Sequence, residues 1–311
     1  MLHKDFEIVF ISHDKPDFLI MEVKKLGIKL LTVATKDYPQ PDKRIDKDEI
    51  PYDMDEFVLG NEIVVLDGYW FGENFQKRIK NIGSQLVVID DLKLGHTYAD
   101  LLINSLPSAE TKDFKAQLYT KFALGLNYVL LRPAFLNSAQ RLSLDTDKRF
   151  DINSVLICFG GSDVKGLTVK TMKEVLSFKQ FSRICIVIGH SFDHIEELEK
   201  LADSRVEIHQ SINDEDFVEL LGKVGLVIVP ASGVMLESLA SHKVVIAGMY
   251  ADNQKKQLNE FVEMDAIVSA GCFSRIEIRD AINVSLVKKR PPNKVIDGKS
   301  GERILKLFHN F

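Results

Sequence analysis

The chain has 311 residues, enough for two domains of ordinary size with filled cores. Its 45% hydrophobic and 27% charged residues are globular proportions. A formal net charge of −5 gives no basic field for a nucleic-acid partner, and no apolar run reaches the ~20 residues that span a bilayer.

Residues 7–12 read as a buried strand, 18–26 as a helix ended by Gly27, and 28–33 as a second strand. Residues 36–53 are polar with three prolines and read as a loop, with a short helix as the alternative. Strands at 62–66 and 86–89 flank a helix over 73–82; they run into Asp67-Gly68-Tyr69 and Asp90-Asp91. A loop with His96 leads to a short strand at 101–104, and the run from Phe122 to Pro133 closes the first half. Residues 137–150 are polar and uneven, the pattern of a linker. Strands at 154–159, 183–188, 205–209, 225–229, 244–247 and near 267–269 then alternate with helices. Those helices are expected over 167–177, 193–203, 214–222, from Gly233, over 253–263 and over 275–288. Short apolar runs alternating with amphipathic helices indicate parallel sheets in both halves. The expectation is an α/β chain of two Rossmann-like domains, residues 1–136 and 151–311 joined by 137–150, the second ending in a helix. Their sheets would face a central cleft at the carboxyl ends of the strands.

One stretch organises the second half. The apolar run 225–229 stops at Pro230-Ala231-Ser232-Gly233, and a helical pattern starts at once. Ser232 is placed as an N-cap, and Gly233 lets a ligand approach the main chain. The amides of Gly233, Val234 and Met235 would then be unpaired donors at the positive end of a helix, a site suited to a diphosphate. Glu237 lies about 100° round from Leu236 and is an acceptor for paired ribose hydroxyls; the competing reading is a solvated surface acid. A second turn, Gly160-Gly161-Ser162-Asp163 after strand 154–159, also allows close approach of a ligand to the backbone.

These pieces together resemble a known family. Phe159-Gly-Gly-Ser-Asp163, the Ala231-to-Glu237 helix start and Ala251-Asp-Asn-Gln254 look like the UDP-sugar hydrolases called PseG and their SpsG-type relatives. Asp67-Gly-Tyr69, Val88-Ile-Asp-Asp91, His96 with Asp100 to Asn104, and Gly125-x-x-Tyr128-x-Leu-Leu-Arg132-Pro133 agree with it, and the similarity runs from about residue 6 to 270. The resemblance implies a MurG-like, GT-B type of fold. It also implies hydrolysis of UDP-2,4-diacetamido-2,4,6-trideoxy-β-L-altropyranose to the free sugar and UDP, with no metal and no cofactor. Carried over, Glu237 takes the ribose, and the amides of Ser232, Gly233 and Val234 take the diphosphate, beside the 160–163 turn. The main chain around Ile208 and His209 faces uracil, and Asn253 and Gln254 reach the phosphate or sugar. For Asn253 the competing role is a helix N-cap. Tyr69 matches a tyrosine near the reacting carbon, against the alternative of a paired core tyrosine. His96 is an auxiliary catalytic candidate or a loop cap.

The chain departs from the family at its start, where a strand, a Gly-x-Gly-His loop and a helix are expected, about 30 residues for a β-α unit. The histidine of that loop, the supposed general base, is expected upstream of Met1, so residues 1–311 are expected to bind UDP with weak or absent turnover. Gly68 also stands where a histidine often precedes the tyrosine. A UDP-sugar glycosyltransferase and a non-catalytic nucleotide-sugar binding protein are the rival readings.

The remaining residues add little. His190, His194, His242 and His309 read as surface or helix-end residues, and no cluster has metal-ligand spacing. The three cysteines form no CxxC, and Cys158 and Cys185 fall in apolar runs, as buried thiols of a reducing compartment do. With no signal peptide in view, a cytoplasmic protein is expected; its oligomeric state is unreadable.

Overall fold

A computed structural model of the chain describes residues 2–12, 17–32, 58–68, 71–91, 95–144, 151–161, 163, 165–288 and 294–311. Tyr69, Ser162 and the polar stretch 36–53 lie outside the described residues. The chain divides into two compact units: Met1–Ser105 with Ala109–Tyr128 and Gly301–Phe311, and Leu106–Ser108 with Val129–Ser300.

In the first unit, β1 (Val9–Ser12) and β2 (Lys29–Thr32) pair in parallel on either side of α1 (Asp17–Lys25). A parallel sheet of four follows, in the order β3 (Ile63–Asp67), β4 (Gln85–Ile89), β6 (Leu101–Asn104) and β8 (Lys121–Leu124). The short β5 (His96–Thr97) and β7 (Lys115–Ala116) pair with each other. Helix α2 (Glu73–Ile82) buries Phe75, Gln76 and Ile79, one face of a helical turn, and ends at Gly83 with φ 103°, where a side chain would be strained. Period-two alternation splits the strands between two cores. Leu66, Leu86 and Val88 pack with Phe75 and Ile79. Val87, Leu101, Ile103 and Ala123 pack with Ile304 and Phe308. Those last two belong to α10 (Ser300–Phe308), so most of the C-terminal helix expected in the second domain packs with the first unit.

The second unit begins with α3 (Pro133–Leu144). Residues 137–144 complete this helix rather than forming a linker. Proline is pre-organised for a first helical turn, and Phe135, Leu136 and Ala139 are buried along one side. Its sheet follows in the order β11 (Val206–Gln210), β10 (Arg183–Ile188), β9 (Ser154–Cys158), β12 (Leu226–Pro230), β13 (Val244–Gly248), β14 (Val268–Ser269), all parallel. Helices α4 (Leu167–Leu176), α5 (Ile195–Leu201), α6 (Asp214–Gly222), α7 (Gly233–Ala240), α8 (Gln254–Glu263) and α9 (Arg275–Lys288) connect or follow the strands. The central strands β9, β12 and β13 are buried at every position, as their unbroken apolar runs require when both faces are covered. Each large side chain so buried contributes roughly 1.5–3 kcal/mol.

Read in chain order, the six strands lie 3-2-1-4-5-6. Connections from β9 run one way across the sheet and those from β12 the other. The order therefore reverses between β9 and β12, and a crevice outside their carboxyl ends is where open α/β sheets bind ligands. Both turns singled out in the sequence leave the sheet there.

Candidate functional site

The turn after β12 is fixed by main-chain bonds. Ala231 N–H donates to Gly248 O at 2.7 Å, and Ser232 N–H donates to Pro230 O at 2.8 Å. Ser232 O accepts from Met235 and Leu236 at 3.0 and 3.4 Å. The amides of Ser232 and Met235 are therefore spent within the turn, contrary to expectation. Among the described residues, the N–H groups of Gly233 and Val234 have no partner. Ser232 occupies the N-cap position in extended backbone, but its side chain makes no capping bond. Two donors are left at the amino end of an eight-residue helix, where the aligned peptide dipoles favour an anion.

Glu237, one turn further on, is not a solvated acid. It is 8% exposed, and its Oε1 accepts from Arg132 Nε at 3.0 Å and Nη2 at 2.7 Å. Burial pushes its carboxyl above the usual range, Arg132 pulls it back down, and Asp214 pushes it up again. Its Oε2 has no partner among the described residues and is not sealed from solvent. Arg132 also bonds Asp214, the first residue of α6, and its guanidinium lies over the Phe135 ring at 4.8 Å.

The turn after β9 differs from expectation. Gly160 has φ 84°, which a side chain rarely adopts, but Asp163 is buried and turns inward. Its Oδ1 accepts from Leu167 N–H at 2.9 Å and its Oδ2 from Thr168 N–H at 2.7 Å. Asp163 closes the amino end of α4 and is committed there, not offered to a phosphate. A Cβ on Gly161 would meet nothing within 4 Å. The tight approach is instead at Gly189 after β10, where a Cβ would sit 2.2 Å from Gly161 O.

On the far side of β12, Gln254 is buried and its Oε1 accepts from Tyr250 N–H at 2.9 Å, so that oxygen braces the loop after β13. Asn253 stands at the N-cap of α8 in helical backbone with no capping bond, and it is exposed. The capping alternative for Asn253 is therefore not realised. Ile208 and His209 are half-buried on β11, the outer strand of the sheet.

In the first unit, His96 is engaged on two sides. Its N–H donates to Glu73 Oε1 at 3.0 Å, and its Nε2 lies 2.9 Å from Gln117 Nε2. At the ends of β3 and β4, the Asp67 carboxyl is held above its usual range by burial. That of Asp91 is raised by burial and then by Asp67 and Asp90.

The remaining histidine and cysteine readings fare differently. His242 is a helix-end residue, just past the C-cap of α7, but it is buried with φ 53° rather than on the surface. Cys158 and Cys185 are buried as expected, and burial pushes the Cys158 thiol up to about 11. Cys185, Glu207 and His209 bring ligand atoms within 4.8 Å of one another, which sequence spacing did not show because they lie on two paired strands. Arg183 Nη2 already donates to Glu207 at 2.8 Å, so a fixed positive charge occupies that group and disfavours a cation.

No family model matches the chain. It is 27% identical over 224 residues to the UDP-2,4-diacetamido-2,4,6-trideoxy-beta-L-altropyranose hydrolase of Campylobacter jejuni, covering 67% of this chain and 78% of that protein. It is 22% identical over 255 residues to the spore coat polysaccharide biosynthesis protein SpsG of Bacillus subtilis, covering 75% and 72%. The chain is PseG/SpsG-like. It also matches the uncharacterized protein MJ1062 of Methanocaldococcus jannaschii at 26% identity over 242 residues, 75% of this chain but 46% of that longer protein. Among solved structures, MurG of Acinetobacter baumannii aligns with a TM-score of 0.62 at 10% identity, over 100% of this chain and 93% of that one. The Staphylococcus aureus MnaA-UDP co-structure aligns at 0.56 and 12% identity, over 97% and 89%. The PseG/SpsG-like chain thus has the GT-B-like class of fold, with Rossmann-like halves. Among its described residues no helix is long and apolar enough to cross a membrane.

Proposed function

We propose that this chain binds the UDP part of a nucleotide sugar on its second unit and hydrolyses the sugar–phosphate bond. By its likeness to the Campylobacter hydrolase, the substrate is UDP-2,4-diacetamido-2,4,6-trideoxy-β-L-altropyranose. The observation that carries the reading is the pair of open amides at Gly233 and Val234, one turn from a carboxylate with one oxygen uncommitted, at the switch point of the sheet. In this reading the diphosphate meets the Gly233 and Val234 N–H groups, and Glu237 Oε2 accepts from the ribose hydroxyls.

Water attacks the anomeric carbon, the bond from that carbon to the β-phosphate oxygen breaks, and its electron pair leaves with UDP. The water's proton is released as the free sugar forms. Charge grows on the leaving oxygen, and donors already fixed in place stabilise it without reorganising. A favourably placed helix terminus supplies up to ~2 kcal/mol of that.

Calorimetric titration should show UDP binding with a sub-millimolar dissociation constant. Turnover of the UDP-sugar with no acceptor is expected to be weak, and what there is should release UDP and reducing sugar in equal amounts. No UDP binding at millimolar concentration would sink the assignment of the site. Binding with sugar release only when an acceptor is added would turn the hydrolase into a transferase.

A further inference from the structure

We propose that Arg132 is the positioning residue of this nucleotide site: it fixes Glu237 so that the second carboxylate oxygen meets the ribose diol, making the site prefer ribo- over 2′-deoxyribonucleotides. The inference rests on the nucleotide reading above and adds a residue and a selectivity to it.

Arg132 Nε and Nη2 converge on one oxygen of Glu237, and neither reaches the other. Two planar donors on one acceptor fix the carboxylate's rotation in a way that a single flexible donor does not. Arg132 is itself held on further sides. Its Nη1 bonds Asp214 at the start of α6, its guanidinium covers the fully buried Phe135 ring, and the next residue is the proline that opens α3. The carboxylate's orientation is thereby inherited from α3 and α6 as well as from its own helix. Half of the Arg132 side chain is exposed, whereas Glu237 retains 11% of its own side-chain exposure, so the remaining opening at Glu237 is small. A carboxylate oxygen can accept two hydrogen bonds, and the 2′ and 3′ hydroxyls of ribose are two donors on adjacent carbons. A site built around a hydroxyl rejects the analogue that lacks it, because its own polar group is left unpaired.

UDP and 2′-deoxy-UDP are titrated into the wild-type chain and the variants Arg132→Met, Arg132→Lys and Asp214→Asn, with a thermal midpoint recorded for each. The wild type is expected to favour UDP by about tenfold or more. Arg132→Met should remove that preference by weakening UDP alone, and Arg132→Lys should recover part of it. Asp214→Asn takes away one anchor of Arg132 and should lower the preference by a smaller factor. Equal weakening of both nucleotides by Arg132→Met, at an unchanged thermal midpoint, overturns the proposal. So does an unchanged preference in every variant. If Arg132→Met fails to fold, the Asp214→Asn and Arg132→Lys ratios decide by the same criteria. Absence of UDP binding by the wild type would instead overturn the nucleotide reading, and this proposal with it.

Discussion

Helices α4 and α7 follow neighbouring strands of one sheet, and both begin from turns of small residues, yet their amino ends differ. In α4 the buried Asp163 carboxylate accepts from two first-turn amides. In α7 the Ser232 hydroxyl makes no such bond, and two amides are left open. One helix end is completed by the chain's own charge, and the other keeps two donors open, the pair on which the proposed diphosphate site rests. The difference teaches that an anion site is recognised by what fails to fill it. Similar local sequence surrounds a self-capped turn and an open one.

The far end of α7 sharpens the comparison with the largest expected effect. Lys243 N–H closes back on Ser238 O, and His242 is tucked in with φ 53° and its Nε2 buried, with no partner among the described residues. Burial, followed by the nearby Lys294 and Lys243, lowers its pKa from 6.5 to about 4. A histidine held neutral in the folded state takes up its proton first in the unfolded state as pH falls. Its contribution is therefore intact above about 6.5 and is lost progressively as pH falls toward about 4. At 1.36 kcal/mol per pKa unit the loss is about 3 kcal/mol. His242→Asn suits the left-handed backbone and does not titrate. Urea unfolding should show the wild type losing about 3 kcal/mol more than His242→Asn between neutral pH and about pH 4. Equal losses would mean that the imidazole takes up its proton as readily in the folded chain as in the unfolded one.

The second effect tests the closed end. Removing the Asp163 carboxylate orphans two buried amides and takes a negative charge from a helix amino terminus. Asp163→Ala should therefore cost about 2 kcal/mol, read as a lower urea midpoint with an unchanged slope. UDP affinity should hold within a factor of about two under conditions where the variant is folded, since the loss of one cap is a stability effect rather than a binding one. A larger drop in UDP affinity would return Asp163 to the site and end the contrast between the helices.

Much of this was legible in the sequence, and the failures share a cause. The buried strands of the second sheet were read within a residue or two, because unbroken runs such as Leu226-Val227-Ile228-Val229 can satisfy both faces only in a covered sheet. Helices over 73–82, 214–222 and 275–288 were placed at their observed bounds. At the site the misreadings are of partners, and one element, α3, is misread as well. Asp163 reads as a ligand-facing residue because its sequence neighbours cannot show whether a carboxylate faces a substrate or its own helix. Arg132 is 105 residues from Glu237, and no local pattern announces such a pair. Residues 137–144 read as a linker because their polar face dominates the local pattern, whereas Pro133, a sound first-turn residue, is the start signal that places them in a helix.

The smallest expected effect bears most directly on the open end. A serine that caps a helix through its hydroxyl typically costs ~1 kcal/mol when replaced by alanine. Ser232 holds the N-cap position without that bond, so Ser232→Ala should change unfolding free energy by less than about 0.5 kcal/mol. Asp163→Ala, measured in the same buffer, provides the scale. The near-neutral result would fit a turn built by main-chain groups alone: Ser232 O accepts from Met235 and Leu236, and those bonds survive the loss of the hydroxyl. A full cap-sized loss would instead mean that the hydroxyl turns onto the helix in solution and occupies one of its free donors. Helix α7 would then be closed like α4, and a diphosphate would have to displace the serine before it could bind.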